Sequence, residues 1–217
     1  MMKRYSFKLN EAIWKGLLKP IRSKRDTTTL LMKSIKLMLV NPSIGSDNVH
    51  GEMILIVSKM SRLFYLTKDK IFSIGFPFSA NFETTPPVFS SKSGMSIDSR
   101  ITSEILGILS DDQLFNSGCP YQFIDPVLVF SEGVDGYWQL LLDLLMYEDA
   151  YIRYDYDEKN QNHEQHPVNH YDVFYSPYAT FKLGLRERVS GDRLVDLLSI
   201  ETNCHFIEKV KRRYGFF

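Results

Sequence analysis

Three runs decide the fold: AYIRYDYD (Ala150–Asp157), VNHYDVFY (Val168–Tyr175) and FKLGLR (Phe181–Arg186). Each alternates apolar and polar residues with a period of two, the mark of a strand with two unlike faces. Ser176-Pro177-Tyr178-Ala179 supplies a turn between the last two. A register that sets Asp172 against Lys182 also sets Val173 against Phe181 and Tyr171 against Leu183. Apolar then meets apolar and carboxylate meets ammonium, so one antiparallel sheet is expected.

Helical patterns flank these strands. Tyr137, Trp138, Leu141, Leu142 and Leu145 form a broad apolar stripe over Asp135–Tyr147, with Asp135 as its cap. After Ser190, the residues Leu194, Val195, Leu197, Leu198 and Ile200 mark a closing helix. Both helices are expected on one face of the sheet. Asp98–Leu109 reads as a helix and Pro126–Phe130 as a buried strand. Met53–Ser58, Leu63–Thr67 and Ile71–Phe76 read as short strands, and Pro77–Gly94 as a loop. Nearer the start, Asn10 caps a short helix that stops at Pro20; Asp26 caps a second, ended by Asn41-Pro42. The chain therefore reads as a single α+β domain over residues 1–217. A basic helical segment, 1–42, precedes a body, 43–217, in which an antiparallel sheet packs with helices around a loop near 77–95.

Composition sets bounds on function. The chain has 217 residues, 44% hydrophobic and 24% charged, which suits an ordinary globular core. Apolar runs are too short to span a bilayer, and the start has no continuous apolar signal region, so a cytoplasmic protein is expected. Two cysteines, Cys119 and Cys204, make neither a disulfide framework nor a metal finger. Net charge is zero, yet Met1–Lys36 carries ten Lys or Arg against two acids. Within it, Lys15, Lys19, Arg22, Lys24 and Arg25 are candidates for binding nucleic acid or a partner. The competing reading is a basic surface that is solvated or docked on the chain's own acidic region.

The sharpest chemical feature is His163, His166 and His170, followed by Asp172. Imidazole and carboxylate serve as metal ligands or acid–base groups. His166, His170 and Asp172 are the candidate catalytic residues, and His163, His166 and His170 the candidate metal ligands. On a strand, His170 and Asp172 project to one face with Lys182 beside them. Pro167 excludes a continuous helix, and with it the two-histidine face of a helical metalloprotease. Asp155 and Asp157 also share a strand face, as a two-carboxylate site requires. The favoured reading of both groups is structural: a histidine bonded to its neighbouring carboxylate, and a charged strand edge. No phosphate loop, dinucleotide fingerprint or nucleophile elbow is present.

The helix Tyr137–Met146, the run Tyr151–Tyr156, His166-Pro167-Val168-Asn169-His170 and the closing helix occur in an order that resembles a bacterial family catalogued as domain of unknown function 2290. The resemblance covers about residues 124–207. Where that family shows a Cys-Arg-Ile-Pro-like strand, this chain has Phe181–Arg186. The resemblance implies a setting in bacterial defence islands, and marks Arg153, His166 and His170 as motif positions without a role. The resulting expectation is an accessory or adaptor subunit of an anti-phage or toxin-like system, not an enzyme and without a cofactor. Its partner would be a larger ATPase or nuclease, with DNA or RNA as a further partner and no membrane. The alternative is a metal-dependent nuclease or phosphodiesterase that uses a divalent metal at the His163–Asp172 cluster.

Overall fold

The structure is a computed structural model that describes residues 2–112, 128–129, 136–162, 165–176 and 179–205. Its main element is a seven-stranded antiparallel sheet in the order β1-β2-β3-β4-β7-β8-β9. These strands are β1 (Lys3–Leu9), β2 (Gly51–Val57), β3 (Arg62–Leu66), β4 (Lys70–Gly75), β7 (Ile152–Tyr156), β8 (Asn169–Ser176) and β9 (Ala179–Leu185). A small hairpin of β5 (Ser79–Asn81) and β6 (Val88–Ser90) stands apart. Among the described residues, the α-helices are α1 (Glu11–Leu17), α2 (Lys24–Val40), α3 (Ser99–Ser110), α4 (Tyr137–Met146) and α5 (Gly191–Leu197). The α+β class and the antiparallel sheet packed with helices are as the sequence implies.

The central strands are buried on both faces. On one side, Met53, Leu55, Leu63, Tyr65, Phe72 and Ile74 join a core with α2, α3 and α4. Their sequence neighbours Ile54, Ile56, Phe64 and Ile71 join Leu194 and Val195 of α5 on the other side. Strand side chains alternate, so β2 needs an unbroken apolar run to satisfy both cores. The expectation that α4 and α5 share one face is therefore corrected: they cover opposite faces. The reason is that both residue sets of β2 and β3 are apolar, and each demands its own cover.

The helix starts follow from local chemistry. Asn10 accepts a hydrogen bond from the Ile13 amide, and Asp98 from the Ile101 amide. For α2 the cap is Ser23, not Asp26. Asp26 instead accepts from the Arg22 amide and the Ser23 hydroxyl, which fixes the cap from the third helical position. The N-cap of α4 is Gly136, without a side-chain hydrogen bond, in place of the expected Asp135, which lies outside the described residues.

Three further expectations change. The segment 1–42 is helical only from Glu11: residues 3–9 form β1, whose Tyr5, Phe7 and Leu9 alternate with polar residues. The expected loop 77–94 contains the β5–β6 hairpin, and its Phe89 is buried and touches Phe76 and Phe82. Of Pro126–Phe130, only Leu128 and Val129 are described; both are exposed and helical, not a buried strand.

One junction positions the C-terminal strands. Residues 147–150 lead from α4 into β7, and three elements hold them. Lys24 donates to the Tyr147 carbonyl and to Asp149 (2.6 Å), and the Gly75 amide donates to the Asp149 carbonyl (2.8 Å). The buried Arg62 donates to Ser73 Oγ (2.9 Å) and the Ala150 carbonyl (2.5 Å). Burial pushes the Arg62 guanidinium down to about 10.

The two-core arrangement makes α5 a structural necessity despite its length of seven residues. Leu194→Ala is expected to cost about 2–5 kcal/mol, as for other fully buried leucines. Urea unfolding followed by circular dichroism measures this. A loss below about 1 kcal/mol would show that α5 is a peripheral helix.

Candidate functional site

On the face of the sheet shared with Phe72, the last three strands replace apolar residues with charge. The observed register sets Phe72 opposite Arg153, Arg153 opposite Asp172, and Asp172 opposite Lys182. The adjoining row runs Lys70, Asp155, His170 and Gly184. Directly opposed residues project to one face, so Arg153, Asp155, His170, Asp172 and Lys182 converge. The apolar partners Tyr154, Tyr171 and Leu183 turn to the α5 side. The pairing of Asp172 with Lys182, Val173 with Phe181 and Tyr171 with Leu183 is that expected from the alternation.

The charges compensate at short range. Lys182 Nζ donates to Asp172 Oδ1 at 2.6 Å and to His170 Nε2 at 3.1 Å. Arg153 donates through Nε to Asp155 (2.6 Å) and through a terminal nitrogen to the second oxygen of Asp172. Lys70 lies 3.9 Å from Asp155. Asp172 is 5% exposed and His170 fully buried, so these are not the weak ion pairs of an open surface. Burial alone would raise the Asp172 carboxyl. The Lys182 hydrogen bond and the charges of Arg153 and Lys182 outweigh it, holding the carboxyl below its ordinary range. Burial likewise works against the Arg153 cation, and Tyr151, Asp155 and Asp172 overcome it.

His170 has a defined tautomer. Its Nδ1 faces the Pro167 carbonyl at 2.7 Å. A carbonyl only accepts, so Nδ1 carries the proton and the Nε2 lone pair faces the carboxylates and Lys182. Above it, Asn162 and His166 exchange backbone hydrogen bonds of 2.8 and 2.7 Å, and the His166 ring meets His170 edge-on at 4.5 Å. Pro167 lies over Gly184 so closely that an added Cβ would be 2.9 Å from its ring. Glycine at 184 therefore lets this loop close over the face.

Of the residues singled out from sequence, His170 and Asp172 enter the cluster together. His166 caps it, with Nε2 turned toward Asp157 at 3.4 Å instead of the carboxylate pair. His163 lies outside the described residues. Asp155 and Asp157 separate: the first joins the cluster, while the second binds Asn160 and His166. Arg153 is the member that sequence reasoning gave no role; Asp155, two residues on, is paired there with Asp157. The alternation in Ile-Arg-Tyr-Asp-Tyr put both opposite Tyr154, but only the β7–β8 register shows what they meet.

A cleft of about 590 Å³ opens one residue row away on the same face. Tyr151 and Phe174, stacked at 4.2 Å, and Thr180 contribute to its lining, with Arg22 and the α4 residues Leu145 and Met146. The basic candidates divide. Lys24 binds Asp149, Arg25 binds Asp112, and Lys15 pairs with Glu11 within α1. Arg22 lines the cleft, and Lys19 is exposed between α1 and α2. Compared with protein-family models, curated proteins and solved structures, the chain matches none.

The lowered Asp172 carboxyl fixes the sign of an acid dependence. Its folded pKa lies below the unfolded value of about 3.9, so its stabilisation is complete above that pH. The contribution is lost as pH falls through the folded pKa. The stability difference between the natural chain and Asp172→Asn should therefore hold steady above about pH 5 and shrink as pH falls below about 4. Urea unfolding at several pH values reads this; a difference that grows on acidification would contradict it.

Proposed function

We propose that the chain is an accessory, non-enzymatic subunit of a bacterial anti-phage or toxin-like system. It would bridge a larger ATPase or nuclease partner and, through its basic N-terminal segment, nucleic acid. The carrying observation is the surface of α4. Trp138, Leu142, Leu145 and Met146 recur at helical spacing and are exposed, Met146 by 79%. The same helix buries Tyr137, Leu140, Leu141 and Leu144 in the core. A helix apolar on both sides suits a second packing partner, and the stripe borders the cleft. The resemblance of residues 124–207 supports the defence setting. Among the described residues, no helix is long and apolar enough to cross a membrane.

A second reading, a metal-dependent nuclease or phosphodiesterase, is favoured by the convergence of Asp155, His170 and Asp172 beside that cleft. Two features weigh against catalysis at this cluster. Both carboxylates already hold a protein cation at hydrogen-bond distance, and His170 is fully buried.

Co-expression with the proteins encoded beside this chain tests the subunit reading. Trp138→Glu with Leu142→Glu should abolish stoichiometric co-purification of a neighbouring ATPase or nuclease and leave the unfolding free energy within about 0.5 kcal/mol, since both sites are exposed. Unaffected co-purification would refute this surface. Metal-dependent cleavage of nucleic acid by the purified chain, lost in His170→Gln, would favour the second reading.

A further inference from the structure

We propose that Asp155, His170 and Asp172 form a site for a first-row divalent metal ion, and that Lys182 is the cation such an ion displaces. The inference requires no catalysis and holds for a binding subunit as well as for an enzyme. Four observations carry it.

First, the donors converge: one ligand atom from each residue lies within 4.8 Å of the others. His170 Nε2 is 3.9 Å from both Asp155 Oδ2 and Asp172 Oδ1. With metal–ligand bonds of about 2.1 Å, donors sit roughly 3.0–3.4 Å apart, so closing on an ion needs movements of about 1 Å. Side-chain rotation of the two aspartates supplies that without shifting a strand.

Second, His170 is held as a ligand histidine is held. Its Nδ1 proton is committed to the Pro167 carbonyl at 2.7 Å, which aims the Nε2 lone pair into the cluster. A histidine serving only to balance two carboxylates would place an N–H on one of them. Here the nearest carboxylate oxygens are 3.9 Å from Nε2, and the ring accepts from Lys182.

Third, a cation already sits there. Lys182 Nζ contacts both Asp172 Oδ1 and His170 Nε2, which are two of the three donors. Its side chain is one-third exposed and comes from the edge strand β9, so it can swing outward while the donors stay in place. Arg153 steadies Asp172 through its other oxygen, and it also donates to Asp155 Oδ2, the oxygen nearest His170, so Asp155 shares that oxygen with Arg153 or offers Oδ1 to an ion.

Fourth, one imidazole with two carboxylates suits ions of the Zn²⁺, Mn²⁺ or Co²⁺ class better than Ca²⁺, which prefers an all-oxygen shell. Displacing the ammonium costs its ion pair with Asp172, so affinity for the natural chain is set by competition between the ion and Lys182.

The test is a titration of the full chain with Co²⁺, followed by visible absorption and by competition with Zn²⁺. One ion should bind per chain. Lys182→Met should tighten binding by about tenfold or more, and Asp155→Asn or His170→Gln should weaken it by at least as much. Unchanged affinity in Lys182→Met, or binding that survives both ligand substitutions, would overturn the proposal. Should Lys182→Met fail to fold, amine labelling of the natural chain read by mass spectrometry decides. Zn²⁺ should accelerate modification of Lys182 and of no other lysine, and an unchanged rate overturns the proposal. Co-purification of partners is scored separately, so loss of either idea leaves the other standing.

Discussion

Asp172 is a buried carboxylate, and it is tolerated only while Arg153 and Lys182 both stay within reach. Removing one partner from such a pair typically costs about 3–5 kcal/mol, a large fraction of the roughly 5–15 kcal/mol that separates folded from unfolded domains. The contact joins residues from three strands, β7, β8 and β9, in one row across the sheet. It is thus both a local ion pair and a statement about strand alignment.

Strand alignment matters most where burial is weakest. The central strands β2, β3 and β4 are locked by two apolar cores, and a one-residue slip would exchange their contents. At β9 the apolar constraint fades: Ala179, Thr180, Phe181 and Lys182 are all exposed, and Leu183 and Leu185 only half-buried. An edge strand of that kind is weakly specified by hydrophobic pattern alone. A slip of one residue would carry Lys182 to the opposite face, leaving Asp172 buried with one cation fewer and stranding the His170 lone pair. The charged row thereby specifies the register that burial leaves open, and Gly184 beneath Pro167 reinforces it sterically. At the start of β7, the anchoring of residues 147–150 by Lys24, Gly75 and Arg62 delivers Arg153 and Asp155 to the same face.

Much of this is legible in the chain itself. The alternation of residues 168–175 and 181–186, with a turn between, implies the Asp172–Lys182 pairing without further information. What stays hidden is non-local. No pattern within residues 150–157 says that Arg153 will meet Asp172, because the long polar connection to residue 168 leaves the register between β7 and β8 open. The second core is hidden for a related reason: the run Met53–Ile56 shows that β2 is buried on both faces but not which helix covers which. Strand β1 went unread because its seven residues carry four polar or charged side chains, and its apolar Tyr5, Phe7 and Leu9 alternate too briefly to outweigh them. The hairpin within residues 77–94 is masked by proline and serine that belong to its turns.

The cluster that aligns the strands is also the one we propose as a metal site. A buried cation site held by a lysine is stable, yet it presents the donors that a metal ion needs. The most direct test of the structural role is a double-mutant cycle on Asp172 and Lys182, using Asp172→Ala, Lys182→Ala and the pair, with stability from urea unfolding. If the pair sets the alignment of β8 and β9, the coupling should be favourable by about 1–3 kcal/mol. A coupling within about 0.3 kcal/mol of zero would contradict it, and would place the register in the apolar residues of the opposite face.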